Sequence, residues 1–302
     1  KGGSWLVDRV GMSWLATAAD VLRRSPSFVG AARRIHEGTR NLDVVVNFLD
    51  IVAAAARVLH RSRVPYLSVA HNYVFLHPEL HPLPGAGWAQ SSVLRWTRAT
   101  ATRSRVRLAL SFVPRMPVPD ERLVVVPPLL RDGLDDIHRC DDGFLLAYAL
   151  NPGYGDLLAD WHRGRPDVQV RCYLEGGATA LSSSPPGGFQ ARELSQRDFL
   201  QDLGRCRAFV GSAGFESLCE AFYLGKPVLA VPTRGQYEQS LNAWDAERHG
   251  AARAGDYGDL DLFWDECPGP SETAVGAFRA WVRAAPEHHV RAVEWVAEKD
   301  PG

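Results

Sequence analysis

Hydrophobic positions along the chain fall into two alternating kinds of segment. Short runs that are apolar at nearly every position are each followed by a longer stretch with helical apolar spacing. Continuous apolar runs are typical of strands in a parallel sheet that helices cover on both faces. The predicted strands are residues 43–47, 65–70, 107–113, 122–126, 143–149, 168–173, 208–210 and 227–231. The pattern therefore predicts βαβ units and an α/β fold with two Rossmann-like domains.

Two features divide the chain into these domains. Five prolines lie between residues 114 and 128, and a new series of strand–helix units starts near Gly143. We therefore predict one domain over residues 1–127 and a second over 128–302. A long helical region precedes the first clear strand, whereas a doubly wound domain usually opens with a strand. We expect the N-terminal domain to be incomplete, with one or two units of roughly 30 residues upstream of Lys1.

Composition narrows the class of protein. The 302 residues carry a formal net charge of −1, which argues against a bulk nucleic-acid binder. The longest apolar runs are far shorter than the roughly 18 residues that suggest a membrane span. Five cysteines without a C-x-x-C pair favour neither a disulfide framework nor a zinc knuckle. This cysteine usage indicates a reducing, cytoplasmic compartment.

One segment is strongly basic. Residues 80–119 contain six arginines and no Asp or Glu. Two interpretations stay open. The segment forms a basic face for an anionic lipid surface or for phosphates, which implies peripheral membrane contact. Alternatively, it is a solvated face whose acidic partners come from elsewhere in the fold.

The most informative stretch joins a strand to a helix through small residues. Gly211-Ser-Ala-Gly214 lies between the strand at 208–210 and a predicted helix over 215–224, which Gly225 and Pro227 end. Open α/β sheets bind ligands where strands end and helices begin. Free N–H groups and the helix dipole attract phosphate there. This turn is therefore a candidate phosphate site.

Polar side chains follow the same turn. Glu216 and Glu220 share one helix face, and an acid facing the ligand accepts hydrogen bonds from ribose hydroxyls. For Glu216, complementing the helix dipole is an equal alternative. Glu238, Gln239 and Asn242 stand at the start of the next helix and suit vicinal sugar hydroxyls. Helix capping is the alternative for these three residues.

These residues resemble a known family. The ordered motifs are Gly211-Ser-Ala-Gly-Phe-Glu-Ser-Leu-Cys-Glu-Ala221, Gly225-Lys-Pro-Val-Leu, Val231-Pro232, Gln236-x-x-Gln239-x-x-Asn242-Ala243 and Gly250. They are similar to the donor-binding signature of GT-B glycosyltransferases. Within this group they resemble UDP-sugar-dependent enzymes and the lipid-linked N-acetylglucosaminyltransferase of peptidoglycan synthesis. The match spans about 40 residues.

The resemblance implies roles for particular residues. The backbone of Ser212, Ala213, Gly214 and Phe215 would hold the donor diphosphate, with Glu216 beside it. Glu220 would bind the ribose, and Glu238 and Gln239 the transferred sugar. The remaining implied donor contacts are Asn151, Gly153 and Tyr154 towards the phosphates and Leu194 towards the base.

The acceptor side departs from the family. Relatives carry a Gly-rich loop near the start of this domain, often with a His that acts as base, and the chain has no such loop. Some relatives have an Asp where Asn47 stands, and Asn cannot stabilise an imidazolium in the same way. Asp50 or His71 is the candidate for catalytic work here. For His71, packing in a loop is the alternative.

The sequence therefore predicts a glycosyltransferase that moves a sugar from a nucleoside diphosphate sugar, with UDP favoured, to an acceptor hydroxyl. Inversion and independence of metal are expected, because no Asp-x-Asp pair directly follows a strand and a helix N-terminus can stabilise the leaving diphosphate. No cofactor beyond the donor co-substrate is expected. Partners are a nucleotide sugar and a small-molecule or lipid acceptor, without nucleic acid. The alternatives are a nucleotide-sugar epimerase or hydrolase, and a non-catalytic nucleotide-sugar-binding module.

Overall fold

The computed structural model describes residues 14–80, 87–149 and 151–298, and side chains from residue 27 onwards. The described residues form ten strands and ten α-helices. The strands are Val45–Asn47 (β1), Tyr66–Ala70 (β2), Val106–Leu110 (β3), Leu123–Val126 (β4), Phe144–Tyr148 (β5), Gln169–Tyr173 (β6), Phe189–Arg192 (β7), Ala208–Gly211 (β8), Val228–Ala230 (β9) and Arg253–Ala254 (β10). The helices are Trp14–Thr39 (α1), Ile51–Leu59 (α2), Gly87–Thr100 (α3), Pro152–Gly164 (α4), Gln196–Arg205 (α5), Phe215–Leu224 (α6), Tyr237–Arg248 (α7), Leu260–Glu266 (α8), Glu272–Arg283 (α9) and Ala285–Glu298 (α10).

The strands form two parallel sheets, as the apolar runs predict. The first has the order β1-β2-β3-β4, and the second the order β10-β9-β8-β5-β6-β7. In β5, Leu145, Leu146 and Ala147 are all fully buried, because helices cover both faces of the second sheet. The predicted α/β fold class is confirmed.

The structure divides into two compact units. The first unit contains residues 14–129 together with 281–298, and the second contains residues 130–280. The division after residue 129 lies two residues from the predicted boundary. The predicted second domain ran to residue 302, whereas residues 281–298 group with the first unit. The reason is packing on the first sheet: Trp281 Nε1 donates to Ser111 O at 3.0 Å, and Arg105 donates to Val296 O at 2.6 Å.

In the second unit the strand order reverses between β5 and β8. From β5 the chain adds β6 and β7 on one side, then β8, β9 and β10 on the other. Such a reversal opens a crevice at the carboxyl ends of the two central strands. Helix α4 begins directly after β5 and α6 directly after β8, so two helix N-termini lie at this point.

Candidate functional site

A tight turn connects β8 to α6 at the reversal point. Gly214 N donates to Ser212 O at 2.6 Å, and the side chain of Asn242 donates to Ala213 O at 3.0 Å. Gly214 is the N-cap of α6, and no side chain caps the first turn of the helix. The side chain of Asn242 thus holds the turn, while no side chain caps the amides of the first turn of α6. This is the arrangement that favours an anion at a helix N-terminus.

A cleft of about 540 Å³ lies in front of this turn, within the second unit. Its lining residues are Arg131, Tyr148, Tyr173, Leu194, Ser195, Gln196, Phe199, Ser212, Gly214, Glu216, Ser217 and Gln239. Part of the lining is aromatic: Phe199 makes edge contacts with Tyr148 and Tyr173, with ring centroids 6.0 and 5.6 Å apart. Another part is the polar turn with Ser212 and Gly214. The lining therefore suits a ligand that has both a flat apolar group and an anionic group.

The structure brings five of the predicted donor residues into this cleft: Leu194, Ser212, Gly214, Glu216 and Gln239. Ala213 and Phe215 belong to the same turn but are buried behind it. Gln239 Oε1 accepts from Thr233 N at 2.7 Å, which leaves its amide N–H groups for a ligand. Asn242 is fully buried and supports the turn instead of lining the cleft. Glu238 is half-buried and lies outside the lining residues.

Glu220 lies one helical turn below the cleft floor. Its side chain is only 1% exposed, and Oε1 lies 2.9 Å from Nε of Arg131, which lines the cleft. Its second oxygen, Oε2, is buried without a hydrogen-bond partner. Burial raises the pKa of Glu220 to about 7; Arg131 opposes this shift, and Glu216 adds to it.

Hydrogen bonds of Asn151 and Tyr154 stabilise the loop after β5. Asn151 caps α4, its Oδ1 accepting from Tyr154 N at 3.3 Å, while its Nδ2 is buried without a partner. The Tyr154 hydroxyl accepts from Arg234 N at 3.2 Å. Neither residue nor Gly153 lines the cleft. The orphaned Nδ2 of Asn151 is the polar atom of this loop best suited to a ligand at the reversal point.

The candidate catalytic residues lie in the first unit. His71 directly follows β2 and is buried, with Nδ1 2.8 Å from Leu110 O. A carbonyl only accepts, so Nδ1 carries the proton and Nε2 holds the lone pair that a general base requires. Asp50 is exposed and caps α2 through Oδ1, which accepts from the backbone amides of Val52 and Ala53. Each residue thus has a structural role in its own loop.

Three of the six arginines in the basic segment form ion pairs with acids. Arg98 and Arg107 both pair with Glu121, and Arg115 pairs with Glu79. The acidic partners come from outside the basic stretch or from its edge, which favours the solvated-face interpretation for these three arginines. Among the described helices, none is both long and apolar enough to cross a membrane.

An Asp-x-Asp pair does occur late in the chain, at Asp259-Leu-Asp261, but both of its carboxylates bind protein groups. Asp259 accepts from the Asp256 amide, and Asp261 pairs with Arg165 and accepts from the indole of Trp161. Within residues 14–80, 87–149 and 151–298, no three His, Cys, Asp or Glu side chains converge as metal ligands would.

Sequence reasoning missed seven of the lining residues: Arg131, Tyr148, Tyr173, Ser195, Gln196, Phe199 and Ser217. Tyr148 and Tyr173 are the last residues of β5 and β6, so their position at the carboxyl ends of predicted strands was the available signal. The position of Phe199 depends on α5, whose packing the sequence does not give.

Comparison with known proteins places this geometry in a family. The model of glycosyl transferase family 1 matches residues 14–264. The chain belongs to glycosyl transferase family 1. It is therefore a glycosyltransferase, as the resemblance of its motifs implied. Curated proteins give no significant match to the chain.

Solved structures confirm the fold. The glycotransferase of kitacinnamycin is 17% identical to this chain and gives a TM-score of 0.61. The match covers 94% of this chain and 82% of the kitacinnamycin enzyme's chain. LpCGTa in complex with UDP shares 15% identity, with coverage of 92% and 81% and a TM-score of 0.57. MurG of Acinetobacter baumannii shares 17% identity, with coverage of 88% and 78% and a TM-score of 0.52. These glycosyltransferases have the two-domain GT-B fold, and this chain shares it.

Proposed function

We propose that this glycosyltransferase transfers a sugar from a nucleoside diphosphate sugar, with UDP as the favoured nucleotide, to an acceptor hydroxyl. The observation that carries the proposal is the N-terminus of α6, which no side chain caps, at a cleft whose lining also contains three aromatic residues. A nucleoside diphosphate has the same two parts, a flat base and a dianion, joined by a ribose. That LpCGTa was solved with UDP supports the choice of nucleotide.

The proposed donor contacts follow the order of the cleft. The base stacks among Tyr148, Tyr173 and Phe199 near Leu194, where aromatic contacts are worth about 0.5–1.5 kcal/mol beyond burial. The diphosphate lies at the turn formed by Ser212 and Gly214. Gln239 and Glu238 hold the sugar hydroxyls, and Glu220 holds the ribose.

The proposed reaction is a direct displacement with inversion at the anomeric carbon. The acceptor oxygen forms the new bond to that carbon as its bond to the diphosphate oxygen breaks, and the diphosphate leaves with the electron pair. The amides of the α6 N-terminus stabilise the charge that develops on the leaving group. Nε2 of His71 accepts the acceptor's proton, with Asp50 as the alternative base.

Titration calorimetry with UDP, GDP and dTDP tests the nucleotide, followed by an assay of sugar transfer to an added acceptor. We expect UDP to bind most tightly and transfer to depend on acceptor. Donor turnover without acceptor would instead indicate a hydrolase or epimerase. Binding without any turnover would indicate a non-catalytic module.

Transfer is expected to be independent of divalent cations, because the helix N-terminus supplies the stabilising charge. The rate in excess chelator should equal the rate in added magnesium or manganese. A rate that vanishes with chelator and returns with a metal would contradict the proposed mechanism.

A further inference from the structure

The donor cleft has few positive charges. Among the described residues that line it, Arg131 is the one cation, and Glu216 contributes a negative charge at the first turn of α6. The side chain of Arg131 is 38% exposed, yet its guanidinium pairs with the buried carboxylate of Glu220. Arg131, the cation that lines the proposed phosphate site, is therefore already paired with Glu220 in this structure.

A nucleoside diphosphate sugar brings two negative charges into this cleft, and free UDP brings three once its secondary phosphate is ionised. Arg131 has a fork of donors that suits two oxygens of one anion, and planar pairing with phosphate is among its strongest interactions. Burying the diphosphate beside Glu216 and an ionised Glu220 would place at least four negative charges against one cation. The two anions therefore compete for Arg131, and the structure shows the pairing made without donor.

We propose that donor binding makes Arg131 exchange Glu220 for the diphosphate, and that Glu220 then takes up a proton from solvent and holds the ribose as a neutral acid. This inference rests on the proposed function, because it requires a nucleoside diphosphate in the cleft. A protonated carboxyl offers one donor and one acceptor, which matches two vicinal ribose hydroxyls.

The electrostatics of Glu220 support the exchange. Burial already raises the pKa of Glu220 to about 7 while Arg131 holds it down and Glu216 raises it. Removal of Arg131 takes away the stabilising partner, and the incoming phosphates add like charge, so both changes raise the pKa further. The buried Oε2, which has no partner in the protein, is the natural site for the proton.

Other charged groups around α6 belong to separate pairs. Asp135 accepts from the Tyr223 hydroxyl, Asp202 pairs with Arg171 and Arg192, and Asp245 lies 3.4 Å from His249. Cys219, the neighbour of Glu220, is buried and its pKa is raised well above the usual value, so it stays a thiol. Glu220 is therefore the group whose charge depends on Arg131.

Calorimetry of UDP binding at pH 8, repeated in buffers of different ionisation enthalpy, counts the protons exchanged. The secondary phosphate group of UDP, with a pKa near 6, is ionised at this pH. We expect wild-type protein to take up close to one proton per UDP, because Glu220 is mostly ionised before binding. For Glu220→Gln we expect no uptake and an affinity within about threefold of wild type.

Two arginine variants complete the design. Arg131→Gln should bind UDP at least about tenfold more weakly and take up clearly less than one proton, since Glu220 is then protonated beforehand. Arg165→Gln is the matched control: Arg165 pairs with Asp261 and Asp265 in the same unit, outside the cleft, and its removal should leave affinity and proton count unchanged.

The outcomes separate the exchange from the proposed function. UDP binding without proton uptake in wild type, or the same uptake in Glu220→Gln, would overturn the exchange alone. If UDP, GDP and dTDP all fail to bind, the result would contradict both the proposed donor and the exchange.

Discussion

At the scale of single residues, Glu220 has the most unusual environment of the proposed donor residues. Its carboxylate is nearly inaccessible to solvent, has one cationic partner and keeps one oxygen unpaired. The sequence predicted that Glu220 binds the ribose, from its position on the helix and from the resemblance. It could not show the pairing with Arg131, because the two residues lie 89 positions apart and meet only in the folded unit.

Replacement of Glu220 by alanine tests its proposed contact with the ribose. Glu220→Ala removes both oxygens, and we expect UDP binding to weaken by about 1–3 kcal/mol, the scale of losing hydrogen bonds to a buried polar group. The dissociation constant from calorimetry is the measurement, with Glu220→Gln as the isosteric control. An unchanged constant in the alanine variant would remove Glu220 from the site.

The same residue makes stability depend on pH. A raised folded pKa means that the folded state binds the proton more tightly than the unfolded chain. The stability that protonated Glu220 contributes to the folded state is fully present below its ordinary pKa of 4.5. This stability is lost as pH rises through about 7, which changes the free energy of unfolding by about 3 kcal/mol.

Melting temperatures measured at pH 5 and pH 8 check this expectation. Glu220→Gln, which cannot ionise, should gain melting temperature relative to wild type on going from pH 5 to pH 8. The same difference between the two proteins at both values of pH would contradict the burial of an ionisable Glu220.

At the scale of elements, the α6 helix was fully predictable. The structure has Phe215–Leu224, the span that the sequence indicates, and Gly225 ends it with a left-handed φ of 75° that favours glycine. β7 and β10 were missed. β7 is partly exposed beyond Phe189, and β10 has two residues, so neither shows a continuous apolar run.

The turn before α6 depends on a side chain from α7. Asn242→Asp keeps the volume but replaces the amide donor with an acceptor against Ala213 O. We expect a loss of about 1–3 kcal/mol in stability and weaker UDP binding, because a buried carbonyl loses its partner and the turn loosens.

Thermal unfolding and UDP titration of Asn242→Asp measure both effects. Loss of stability with unchanged UDP affinity would show that the turn does not hold the ligand.

At the scale of the whole molecule, strand–helix alternation was enough to predict two parallel sheets, and the proline-rich segment at 114–128 together with the new series of units near Gly143 predicted a division near residue 127. These patterns did not assign α10 to a unit. Amphipathic spacing shows that a helix buries one face, but not which sheet that face covers. The hydrogen bond from Arg105 to the Val296 carbonyl of α10, and that from Trp281 at the end of α9 to the Ser111 carbonyl, show that residues 281–298 pack in the first unit.

The identity of the catalytic base is the part of the site that the sequence determines least. The sequence named His71 and Asp50 as candidates, and the structure gives each of them a structural partner in the first unit. Their roles as base stay predictions.

A crystal structure of the protein with UDP is the most direct test of the account. It should show the diphosphate within hydrogen-bond distance of the amides at the start of α6, with the uracil between Tyr148, Tyr173 and Phe199. Bound UDP at another place, with the bend ahead of Phe215 empty, would contradict the account.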